Sequence, residues 1–170
     1  TAPSVRTTIG PATCLMVASW PSGTCPAPAA IAEPPAAPEP IPPPLGALVG
    51  HGGTVSSATF SHRGDCVLTA SFDHTARLWN LERRLLTTFE GHEGNVYSAV
   101  FSPDDRYILA ASEDKTARVW DRDGKVLSVL SGHQGPVRSA KFSPDGRTIV
   151  TASRDTTARL WNVVDGAVTF

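Results

Sequence analysis

From residue 50 onward apolar and polar side chains alternate with a period of two, and the alternation restarts three times. VSSATF (Val55 to Phe60), VYSAVF (Val96 to Phe101) and VRSAKF (Val137 to Phe142) each open and close on an apolar residue. That is the pattern of a strand and not of a helix, whose period is 3.6. A turn follows each one: SHRGD, SPDDR and SPDGR carry Pro, Asp or Gly where a tight reversal needs a preset or permissive backbone. A second strand comes next (CVLTAS, YILAAS, TIVTAS), then a tight turn at an Asp, a third strand (ARLW, ARVW, ARLW) and a fourth (RLLTTF, KVLSVL, GAVTF). Each unit is predicted to be a four-stranded antiparallel meander.

The units keep one register. Gly50-His51, Gly91-His92 and Gly132-His133 are spaced by 41 residues, as are Asp73, Asp114 and Asp155, and Trp79, Trp120 and Trp161. The stretch SFDHTARLWN returns as SEDKTARVWD and SRDTTARLWN, with the letters on either side of the Asp free to change. A fixed period of this length is the mark of a repeat architecture.

Composition divides the chain near residue 45. Twelve of its fifteen prolines lie before that point, and residues 25–44 are dominated by Pro and Ala. Proline removes a backbone donor and fixes φ, so this stretch is expected to be a disordered, extended linker, with PEPIPPP its best candidate for docking a proline-binding domain. Residues 1–24 carry no assignment and are expected to be poorly ordered. A net charge of −1 gives no field for nucleic acid or anionic membrane, and no apolar run approaches the roughly 18 residues of a membrane span. Cys14, Cys25 and Cys66 are odd in number and lack CxxC spacing, which points to a reducing, cytoplasmic setting without disulfide or zinc. The chain begins with Thr and not Met, which fits a processed chain or a fragment.

A repeat of this length, with four strands, Gly-His near its start and Trp-Asp (Trp120-Asp121) or Trp-Asn near its end, resembles the WD-repeat β-propeller family over residues 45–170. The resemblance implies an all-β fold: a partial β-propeller of three four-stranded antiparallel blades at about 50–90, 91–131 and 132–170. It also implies a hydrogen-bonded chain that locks each blade. Its members would be His51, Asp73 and Trp79; His92, Asp114 and Trp120; and His133, Asp155 and Trp161. A hydroxyl on the second strand would complete it, from Thr69 or Ser71 and from Thr151 or Ser153; in the middle unit Ala110 leaves Ser112 as the only donor. Each His would then sit beside its own Asp, so the equal spacing forms no metal or acid/base centre. DRDGK (Asp121 to Lys125) lacks the closing Glu of a calcium loop, and no phosphate loop or nucleophile elbow occurs. Neither catalysis nor a cofactor is expected.

In the resembled family two positions per blade face the top surface: the residue before the turn Asp, and the one after the first Val of the innermost strand. Here these are Phe72, Glu113 and Arg154, and Ser56, Tyr97 and Arg138. Their aromatic and guanidinium content is that of binding hot spots, so a protein or peptide partner is expected there. The function implied is a non-catalytic scaffold for protein–protein interaction. The alternative is a regulatory or sensor module of a larger signalling enzyme, a kinase or protease, with its catalytic domain elsewhere. Three blades fall short of a closed ring, so the remaining blades are expected from a longer chain or from a second copy.

Overall fold

A computed structural model describes residues 46–164 and 167–169. The expectations for residues 1–24 and the linker at 25–44 lie outside the described residues. Twelve strands form three four-stranded antiparallel sheets, each in sequence order. Blade 1 holds β1 (Val55–Phe60), β2 (Cys66–Ser71), β3 (Ala76–Asn80) and β4 (Leu85–Phe89). Blade 2 holds β5 (Val96–Phe101), β6 (Tyr107–Ser112), β7 (Ala117–Asp121) and β8 (Val126–Leu130). Blade 3 holds β9 (Val137–Phe142), β10 (Thr148–Ser153), β11 (Ala158–Val164) and β12 (Ala167–Thr169). The four-stranded meanders expected from the pattern, and the all-β partial propeller that the resemblance implies, are the observed fold.

Blades pack face to face, and the apolar positions show why. In β6, Ile108 and its neighbour Leu109 point to opposite faces, and both are buried. Ile108 joins a core with Leu68, Leu78, Val96, Ala99 and Phe101 of the first blade seam. Leu109 joins Val119, Val137, Ala140 and Ile149 in the second. A sheet covered on both faces loses its alternation, which is why YILAAS reads as a nearly continuous apolar run. Each fully buried aliphatic side chain contributes roughly 1.5–3 kcal/mol.

The innermost strand of every blade carries a register shift near its start, between Val55 and Ser57, Val96 and Ser98, and at Ser153 opposite Val137. An extra residue at such a bulge turns the first Val onto the same face as the Ala and Phe that follow. Without the shift, Val96 would point away from Ala99 and Phe101, and the seam would lose one of its three anchors.

Candidate partner-binding face

The turns between the second and third strands of each blade converge at one end of the sheets, here called the top. Each is built on its Asp. Asp114 Oδ1 accepts hydrogen bonds from Thr116 N at 2.9 Å and Thr116 Oγ1 at 2.6 Å, while Oδ2 accepts from Glu93 N at 3.1 Å and His92 Nδ1 at 2.7 Å. The same set surrounds Asp73 (Thr75, Gly52, His51) and Asp155 (Thr157, Gln134, His133). Burial pushes the Asp73 and Asp114 carboxyls up. Hydrogen bonds from Thr75 and His51 to Asp73, and from His92 and Thr116 to Asp114, outweigh it and hold both well below the usual carboxylate range. At Asp155 the Thr157 hydroxyl is the main cause of a similar lowering. These turns explain the invariant Asp-x-Thr of the repeated decapeptide.

The letter after each Asp occupies the left-handed region: His74 at φ 71°, Lys115 at 72° and Thr156 at 70°. None is a glycine; His tolerates the region better than most side chains, and the β-branched Thr156 is the most strained of the three. The Gly before each His has a different reason to recur. Gly91 sits at φ +118° and Gly132 at +143°, with the guanidinium of Arg118 or Arg159 under 3 Å from where a Cβ would stand. The Arg of the repeated TAR thus lies against the Gly of Gly-His.

Behind the turns, blades 1 and 3 hold a relay of hydrogen bonds. Trp79 Nε1 donates to Thr69 Oγ1 at 2.9 Å, and Thr69 Oγ1 pairs with His51 Nε2 at 2.8 Å. His51 Nδ1 reaches Asp73 Oδ2 at 2.8 Å. Trp161, Thr151, His133 and Asp155 repeat the chain at 2.9, 2.8 and 2.7 Å. An indole N–H can only donate, so the hydroxyl accepts it and donates its own O–H in a hydrogen bond to Nε2 of the imidazole. Of the two hydroxyls open in each of these blades, Thr69 and Thr151 are the bridging ones.

Ser112 does not take that place in blade 2. Its Oγ donates to Gly94 O at 3.1 Å and accepts Asp114 N at 3.2 Å, capping the turn, as Ser153 does in blade 3. It lies two residues along the strand from Ala110, a displacement of about 7 Å, too far for its short side chain to reach the indole. His92 Nε2 and Trp120 Nε1 are left buried without a hydrogen-bond partner. Their rings stand 5.5 Å apart between centroids, against 6.2 and 6.4 Å in blades 1 and 3.

The letters that change from unit to unit lie around these turns. Backbone bonds at 2.9 Å from Phe72 N to Thr54 O, Glu113 N to Asn95 O and Arg154 N to Pro136 O hold each turn beside the start of its own innermost strand. Across the seams, three of the six variable side chains meet. Phe72 stands edge-on to Tyr97 with centroids 5.9 Å apart and planes at 89°, and the Arg138 guanidinium lies over the Tyr97 ring at 4.1 Å. One residue from each blade therefore forms a continuous aromatic–aromatic–cation stack. Glu113 and Arg154 are exposed beside it. Among the described residues, no ion pair within 4.0 Å involves Glu113, Arg138 or Arg154.

Ser56 departs from the expectation of a partner-facing group. Its hydroxyl donates to Val96 O at 2.6 Å and Ala70 O at 3.2 Å, so it is spent on the seam to blade 2. Among the described residues, no three His, Cys, Asp or Glu side chains are arranged to hold a metal ion.

A family model described as WD domain, G-beta repeat matches residues 42–80, 83–121 and 124–162. The chain belongs to the WD-repeat family. Each matched segment ends just after a Trp, so the WD repeat is offset by one strand from the blade: the second match takes in β4 of blade 1 and β5–β7 of blade 2. Successive blades of this WD-repeat chain thus share a sequence unit as well as an apolar seam. A search of curated proteins found no match to the chain. Repeats of this family indicate an interaction scaffold, which directs attention to the top face.

Proposed function

We propose that this WD-repeat chain is a non-catalytic scaffold whose top face binds a protein or peptide through Phe72, Tyr97, Arg138 and Arg154, with Glu113 at the rim. The observation that carries the reading is the Phe72–Tyr97–Arg138 stack. Residues that do not repeat, from three separate blades, are held in contact by a scaffold that does repeat. Stacking fixes the rotamers of the two rings and the guanidinium before any partner arrives, which lowers the ordering cost of binding. Arg138 offers its N–H edge while its face rests on Tyr97, a geometry suited to a carboxylate. An extended peptide with an apolar side chain against Phe72 and Tyr97 and an acidic one against Arg138 and Arg154 would match this surface.

The test is selection of a displayed random-peptide library on the immobilised chain, followed by calorimetry on the selected peptides. Acidic–apolar sequences should be enriched, and Tyr97→Ala and Arg138→Ala should each weaken them at least tenfold, about 1.4 kcal/mol. Full affinity in both variants, or no selected binder, would remove the top face from the account.

A further inference from the structure

The variable letters of the top face carry charge in a fixed order from blade to blade. Phe72, Glu113 and Arg154 occupy one position in three successive turns, so Glu113 lies between an aromatic residue of blade 1 and a cation of blade 3. The parallel row runs Ser56, Tyr97, Arg138, and the Ser56 hydroxyl is bonded into the seam. Glu113 N donates to Asn95 O at 2.9 Å, which sets Glu113 beside the strand start that carries Tyr97; the bond from Arg154 N to Pro136 O does the same for Arg154 and Arg138. Of these letters, blade 1 thus presents an apolar ring, blade 2 a ring with a carboxylate beside it, and blade 3 two guanidiniums.

The Glu113 residue is exposed, and among the described residues no ion pair within 4.0 Å engages its carboxylate, although Arg138 and Arg154 belong to the adjoining blade. The backbone beneath it is closely seated. A Cβ at Gly94 would stand 3.1 Å from Glu113 Cβ and 3.0 Å from Asp114 N, so the glycine lets the turn close in. A carboxylate held there repels any acidic group that is not over the two arginines, and it attracts a cation. Charges so placed set register and exclude wrong partners more than they raise affinity.

The stack gives the scale of the selection. The Phe72 ring and the Arg138 guanidinium each lie against the Tyr97 ring, at 5.9 and 4.1 Å, so they are at most about 10 Å apart. An extended peptide rises roughly 3.3 Å per residue, so side chains two or three positions apart span that distance. We infer that Glu113 is the specificity-determining residue of this face, an inference that rests on the top-face reading above. It selects a peptide with a basic residue between an apolar one and an acidic one two or three positions away, and it rejects a run of acidic residues.

A reciprocal charge swap tests it, with fluorescence anisotropy on the full chain. The probes are labelled peptides in one Gly/Ser frame that differ only in a central Leu-Xaa-Xaa-Asp, where Xaa is Lys, Ser or Glu. The native chain should bind them in the order Lys, Ser, Glu, with about fivefold or more between the first and the last, and added salt should narrow the spread. Glu113→Lys should invert the order, and Glu113→Gln should bring the three together. Glu113 is exposed, so melts of both variants should match the native chain. Equal affinity for the three peptides, or an order that Glu113→Lys leaves unchanged, would overturn the role of Glu113 while the top-face reading stood. Binding of none of the three would overturn both.

Discussion

At the scale of single residues, Ala110 separates one blade from the other two. It stands where Thr69 and Thr151 bridge an indole to an imidazole, and it leaves Trp120 Nε1 and His92 Nε2 buried and unpaired. Ala110→Thr should restore the bridge and raise stability by about 1–2 kcal/mol, since a stranded buried polar group costs that much or more. The ring pair must reopen from 5.5 Å toward the 6.2 Å of blade 1. A lowered melting temperature would mean that the closer packing outweighs the lost bonds. The turn aspartates make a second prediction. An Asp whose folded pKa lies below its ordinary 3.8 binds its proton less readily when folded. Its stabilisation is therefore present above that value and is lost as pH falls through the window beneath it. Melting temperature should drop steeply below about pH 4, and Asp114→Asn should flatten that acid limb; an unchanged limb would show that the turn carboxylates do not drive it.

At the scale of elements, the turn SPDDR of blade 2 departs from its counterparts. Gly64 and Gly146 take φ 71° at the position where Asp105 takes 59°. The Asp105 carboxylate reaches across the seam, accepting His62 N and Nδ1 at 2.9 Å and Arg63 N at 3.0 Å. Asp105→Gly relieves the backbone and removes this clamp. Loss of the clamp should win, lowering stability by about 1–2 kcal/mol, and a rise in melting temperature would refute the clamp. Strands and turns were legible in the sequence, because period-two alternation and the 41-residue spacing report on bonds within one unit. The clamp was not, because its partners belong to another unit and no spacing rule links them. The seam bond of Ser56 was hidden for the same reason: its acceptor, Val96 O, lies in the next blade. The choice of Thr69 over Ser71 was open because both point to one face of β2, and only their distance from the indole separates them.

At the scale of the whole molecule, two sets of residues divide the work. The fixed letters, Asp, Thr, Arg and Trp, hold turns and blades; three of the six variable ones, Phe72, Tyr97 and Arg138, meet across seams. Loss of an Asp should destabilise without selectively affecting a bound peptide, and loss of a stack residue should do the reverse. The direct test is a paired measurement of melting temperature and peptide affinity, using a library-selected peptide, on Tyr97→Ala and Asp114→Ala at a temperature where both remain folded. The account predicts near-native melting and at least tenfold weaker binding for Tyr97→Ala, with lowered melting and near-native binding for Asp114→Ala. Native affinity in Tyr97→Ala would contradict it.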